Sequence, residues 1–149
     1  MKNGEVLGSI PISPKLAVVA EKMARHYFAN QVKSEFMESA DICNPPASMG
    51  GSWIPRKQLA ALGYRVPAEK SQWVMSTGID MHVDRIWGET LMWVVHNDGL
   101  HFKQGRVKVV HQPGEWFIFN DALPHQVDIK KPTDSGEVWI GWAVKIERK

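Results

Sequence analysis

From Gln72 onward the chain breaks into eight short runs rich in β-branched and aromatic residues: QWVMSTG, DMHVD, TLMWVVH, GLHFK, RVKVVHQ, EWFIFN, HQVDI and EVWIGWAVKI. Asn-Asp-Gly, Gln-Gly, Gln-Pro-Gly and Pro-Thr-Asp-Ser-Gly turn signals separate several of them. Such residues suit a pleated, half-buried surface, and the frequent turns forbid long helices, so this region predicts an antiparallel all-β core of about eight strands. Two architectures accommodate that pattern: a jelly roll, also called a double-stranded β-helix, and an up-and-down barrel.

The first third follows a different period. Ser13-Pro14 is an N-cap and first-turn signal, and Leu16, Val19, Ala20, Met23 and Tyr27 then recur at helical spacing. A helix is predicted from residue 14 to about residue 38, packing that apolar stripe on the outside of one sheet. A second short helix is expected to start at Pro55 and stop at Gly63. The Pro/Gly-rich stretch DICNPPASMGGSWIP lies between them. The 149 residues therefore read as one domain, with 1–71 forming a helical and loop cover and 72–149 a double-stranded β-helix core.

With 44% hydrophobic and 23% charged residues, the composition is that of a globular chain. No run reaches the roughly 18 apolar residues of a membrane span, and the N-terminus lacks the apolar stretch of a signal peptide. A single cysteine, Cys43, excludes an internal disulfide and a cysteine-rich zinc site, so a cytoplasmic location is expected. Lys and Arg are dispersed and the net charge is only +2, which is no nucleic-acid footprint.

One run carries an anomaly. In IDMHVDRIWGET, His82 and Asp84 lie two apart in a strand pattern and so project to one face, with Met81 and Val83 on the other. A buried carboxylate needs a cation or a metal. An isolated His-x-Asp is equally well read as a hydrogen-bonded pair, but His125, at a strand start directly after Pro124, offers a third ligand from another strand. Two histidines and one carboxylate make the facial triad of non-haem iron(II) sites, which leaves positions open for cosubstrate and oxygen.

His82-Val83-Asp84 and the stretch from Gly114 through Phe119 to His125 together resemble the motif of the Fe(II)/2-oxoglutarate oxygenase superfamily, in its prolyl-hydroxylase-like branch. The resemblance covers about residues 72–146. It implies a double-stranded β-helix, iron(II) held by His82, Asp84 and His125, and 2-oxoglutarate as cosubstrate. The implied reaction is oxidative hydroxylation or demethylation of a small molecule, a peptide side chain or a nucleobase, with the loops around Gly50-Gly51 and Gly88 as lids.

The branch usually carries a base nine or ten residues after the distal histidine, to pair with the far carboxylate of 2-oxoglutarate. TDSGEVWIGW has none. Lys103 and Lys108 are the expected substitutes, Lys103 first, with Arg85 and Arg106 at the rim as further options. The missing base leaves two alternatives open: a cupin-like metal enzyme or sensor without 2-oxoglutarate, and a catalytically silent jelly-roll binding module. His96, His101 and His111 at strand ends or turns and His26 on the helix read as solvated or hydrogen-bonded side chains, and most of the seven tryptophans as core. Trp139 and Trp142 have opposite parity, so one should meet the helix side and the other the barrel interior.

Overall fold

The computed structural model describes residues 2–30, 36–37, 53–67, 70–76, 79–84, 87–128 and 137–149. The chain begins with β1 (Gly8–Ser9), α1 (Pro14–Asn30), β2 (Phe36–Met37), α2 (Arg56–Ala61) and β3 (Tyr64–Arg65). Eight strands follow: β4 (Ser71–Ser76), β5 (Ile79–His82), β6 (Glu89–Asn97), β7 (His101–Gln104), β8 (Val107–Val109), β9 (Glu115–Asn120), β10 (His125–Asp128) and β11 (Trp139–Lys145). A short β12 (Glu147–Arg148) pairs with β3.

The six-stranded sheet has the order β1-β9-β6-β11-β4-β2 and the four-stranded sheet the order β5-β10-β7-β8. In an up-and-down barrel, successive strands would pair. Here β4 and β5, β5 and β6, and β6 and β7 each lie in opposite sheets, and among the described residues only β7 and β8 pair as consecutive strands. With all these pairings antiparallel, the eight strands form a double-stranded β-helix.

The large sheet is buried on both faces, which explains the unbroken apolar run TLMWVV in β6. Leu91, Trp93 and Val95 point outward into a cluster with Leu16 and Ala20 of α1. Met92 and Val94 point between the sheets, toward Phe102, Phe117, Phe119 and Val127. On β11, Trp142 joins the outer cluster and Trp139 the inner one, as their parity requires. Gly141 lies between them because a Cβ there would run into Met92 Sδ and the Trp139 ring.

α1 starts where expected: the Leu16 N–H donates to Ser13 Oγ at 3.1 Å. Its end is a correction. The described helix spans Pro14–Asn30, and Phe36–Met37, inside the expected helix, instead pair with Ser76 and Met75 on the edge of the large sheet. Backbone groups there serve a strand, which a helix to residue 38 would forbid. Of the apolar stripe, Leu16 and Ala20 are buried and Val19 is partly so; the Met23 and Tyr27 side chains lie outside the described residues. α2 ends before Gly63, whose φ of 89° suits a helix C-terminus.

Candidate metal centre

His82 ends β5 and His125 begins β10, and antiparallel pairing makes them register partners. Two separate pieces of sequence therefore deliver two imidazoles side by side, with ring centroids 4.4 Å apart. Asp84 follows just beyond the end of β5, where its N–H donates to the Asp121 carbonyl at 2.9 Å. Its Oδ2 lies 3.1 Å from His125 Nε2 and its Oδ1 3.4 Å from His82 Nε2. Ligand atoms of the three residues all fall within 4.8 Å of one another.

These distances fit an ion. Ligand atoms bound at about 2.1 Å and at right angles are separated by about 3 Å. The donor set also fits: two imidazole nitrogens and a carboxylate, with no thiolate, suit a divalent first-row metal. His125 is 4% exposed, and its Nδ1 lies 2.9 Å from the Leu123 carbonyl. That carbonyl can only accept, so Nδ1 donates to it, which leaves Nε2, on the side of Asp84, as the ring nitrogen that would bind a metal. Phe119, with its ring centroid 5.0 Å away, gives His125 an apolar wall.

Two residues not singled out from the sequence hold this geometry. Asp121, 5% exposed, accepts from the backbone N–H groups of Trp87 at 2.9 Å and Gly88 at 2.7 Å, and its own N–H donates to the Gly88 carbonyl. The turn after Asp84 is thereby fastened to the turn before His125. Gln104 is the register partner of His125. Its Nε2 donates to the carbonyls of Asn120 at 2.7 Å and Leu123 at 3.3 Å, and its Oε1 accepts from the Asn120 N–H at 3.0 Å. A buried glutamine on the same face as Phe102 was the available signal.

The structure does not bring Lys103 or Lys108 to the three ligands. They are register partners of each other on β7 and β8. Phe102 and Gln104 are the buried positions of β7, so alternation turns Lys103 outward, and Lys108 is exposed. Arg106 is exposed in the β7–β8 turn. Arg85, Gly50 and Gly51 lie outside the described residues, as does the side chain of His26. Lys145 went unremarked in the sequence: it ends β11 on the inward alternation of Trp139, Gly141 and Ala143, opposite Thr90. Thr90 sits near the start of β6, at the end of the barrel where Gly88 and Asp121 meet.

The remaining histidines have other settings. His96 Nε2 is 3.0 Å from Asp98 Oδ1. His111 is fully buried, stacked on Phe117 at 4.0 Å and bonded through Nε2 to the Gly4 carbonyl at 2.8 Å. Burial pushes its pKa below the usual 6.5. Trp53, Trp73, Trp93 and Trp142 contact one another in the outer cluster, which is packing and not a stacking platform.

No protein-family model and no curated protein sequence matches the chain. Among solved structures it is similar to a 2OG-Fe(II) oxygenase family oxidoreductase from Burkholderia pseudomallei, at 14% identity and a TM-score of 0.49 over 87% of this chain and 80% of that one. It is also similar to an RmlC-like cupin from Desulfovibrio desulfuricans, at 10% identity and a TM-score of 0.38 over 97% and 96%. A third likeness is to a DMSP lyase from Ruegeria pomeroyi, at 10% identity and a TM-score of 0.39 over 100% and 80%.

Proposed function

We propose that the chain is a mononuclear iron(II) oxygenase that uses 2-oxoglutarate to hydroxylate or demethylate a small molecule, a peptide side chain or a nucleobase. The observation that supports it best is the convergence of His82, Asp84 and His125 at one end of a double-stranded β-helix. Iron(II) bound by such a set supplies oxygen activation, with positions left for the oxoacid. The chain's own residues do the rest. Asp121 and Gln104 fix the two turns that aim Asp84 and His125, and Phe119 and Phe102 exclude water from one side of His125.

A dianionic oxoacid also needs a cation for its far carboxylate, because an unpaired buried charge is costly. Lys145 is the residue of choice: it lies on the inward register of β11 at the correct end. A second reading, a cupin-like metal enzyme or sensor without 2-oxoglutarate, draws on a specific observation. Lys103 and Lys108 face outward, and the barrel interior is filled by Phe102, Phe117, Phe119 and Trp139.

Anaerobic titration with iron(II), then with 2-oxoglutarate, separates the two. One iron per chain and a visible charge-transfer band of the chelated oxoacid are expected, with the affinity for 2-oxoglutarate reduced at least about tenfold in Lys145→Met, the loss of one charge-assisted contact. Iron uptake without the band favours the second reading; no iron uptake refutes the first, and no uptake of iron, manganese, nickel or zinc refutes both.

A further inference from the structure

Outside the barrel, at the end where His82 and His125 lie, a groove of about 680 Å³ is lined by Met81, Leu123 and Pro124 together with Lys2, Lys103 and Arg106. Its volume is in the range of small-molecule sites, roughly 300–1,000 Å³. Its apolar part is open to water: Met81 is 44% and Leu123 48% exposed. Both are large, and they stand together in one concavity, which is where exposed apolar surface carries meaning.

The charges point the same way. Three cations line the groove, and no carboxylate lines it among the described residues. Lys103 and Arg106 form no ion pair among those residues, and Lys108, the register partner of Lys103, adds a fourth positive charge nearby. Like charges gathered around an apolar floor repel one another and attract an anion. Lysine stems can lie along that floor while their ammonium groups meet a head group above it. An inorganic anion would leave the floor wet, and an uncharged apolar molecule would leave the cations unneutralised.

We propose that this groove binds an amphiphilic organic anion, a carboxylate or phosphate head on an apolar body. Its occupant lies against the Leu123–Pro124 segment. The Leu123 carbonyl takes the His125 Nδ1 hydrogen bond, and both carbonyls lie within reach of the Gln104 amide. The ligand therefore presses on the turn that orients His125, and the groove stands whether or not iron occupies the centre. The head group belongs to a free molecule, since a concavity of this volume takes a whole small ligand, and the test sets it against a membrane lipid.

Calorimetric titration of the full chain uses decanoate as probe, with acetate as the head alone, decanol as the body alone and phosphatidylglycerol vesicles as the membrane source. One decanoate per chain is expected, binding at least tenfold more tightly than acetate or decanol. Lys103→Glu with Arg106→Glu should lower that affinity at least tenfold while circular dichroism is unchanged, and Leu123→Ser should weaken decanoate more than acetate. Saturable vesicle binding lost in the same double variant, with no binding of free decanoate, assigns the face to a membrane surface and overturns the proposal. Decanoate affinity indifferent to charge reversal overturns the proposal, as does decanol binding equally well. So does self-association in sedimentation that the double variant abolishes, since a second copy would then fill the groove. If the double variant fails to fold, Arg106→Gln in the exposed turn is read in its place.

Discussion

Asp84 is held from its backbone and used from its side chain. The Asp121 carbonyl takes its N–H, which frees both carboxylate oxygens to face the two imidazoles. Asp84→Ala is expected to abolish iron uptake, measured by metal analysis after anaerobic loading, with the melting temperature lowered by no more than a few degrees. A large drop in stability would make the cluster a structural pair. Gln104→Leu keeps all three ligands but unfastens the Asn120–Leu123 turn, so iron affinity should fall by about 10- to 100-fold, the usual cost of losing an outer-shell partner. His111 gives a separate residue-scale test. Its folded pKa is depressed, so the unfolded chain takes up a proton at a higher pH than the folded one. The stability that neutral His111 contributes is therefore complete above about pH 6.5 and is lost as pH falls toward the lower folded value. Urea midpoints at pH 7.5 and 5.5 should differ more in the parent than in His111→Phe, where the ring can still stack on Phe117. An equal pH dependence would clear His111 of that role.

At the scale of elements, α1 and β11 are constrained from opposite directions. α1 is placed by an apolar stripe, and Leu16 and Ala20 fill the outer face of the large sheet. Leu16→Ala should cost about 2–5 kcal/mol, read from urea denaturation, because the cavity it leaves lies under a helix that can only partly collapse. Iron affinity should not change, since the ligands lie on β5 and β10 and in the turn after β5. β11 is placed by the sheet itself, between β4 and β6 and buried on both faces. Gly141 there faces Met92 and Trp139 at a separation that leaves no room for a methyl group. Gly141→Ala should destabilise by about 1–3 kcal/mol, the usual cost of overpacking. A stabilised variant would show that the β11 backbone can retreat.

Over the whole molecule, two apolar clusters share one sheet. The outer cluster joins α1, α2 and five of the tryptophans, and the inner one joins the two sheets of the β-helix. β6 and β11 contribute alternate residues to both, so neither cluster survives melting of the other. Thermal unfolding followed by near-ultraviolet and far-ultraviolet circular dichroism should therefore give coincident transitions. Separate transitions would mean that the helical cover melts independently. The outer tryptophans report on one cluster and Trp139 on the other, so Trp142→Phe and Trp139→Phe identify which cluster any early transition belongs to.

Properties carried by neighbours in the chain were legible without coordinates. Alternation and turn residues marked the eight strands, Ser13-Pro14 marked the start of α1, and the two-residue spacing of His82 and Asp84 put them on one face. The parity of Trp139 and Trp142 likewise foretold their opposite surroundings. Lys103 shows a local signal that was present and outweighed: alternation with Phe102 turns it outward, against the family-based expectation that it reaches in. Other features had no local cause. The choice between a β-helix and an up-and-down barrel depends on which strands pair, and pairing energy belongs to residues far apart in sequence. That Phe36–Met37 form a strand and not a helix depends on the edge of β4, which pairs with them. His125 reaches His82 through a register set between β5 and β10, Gln104 gains its role from a turn sixteen residues on, and Lys145 comes opposite Thr90 only once β11 is threaded between β4 and β6. The ligand types were written in the sequence, whereas their convergence required the hydrogen-bonded register and the two packed cores of the tertiary structure.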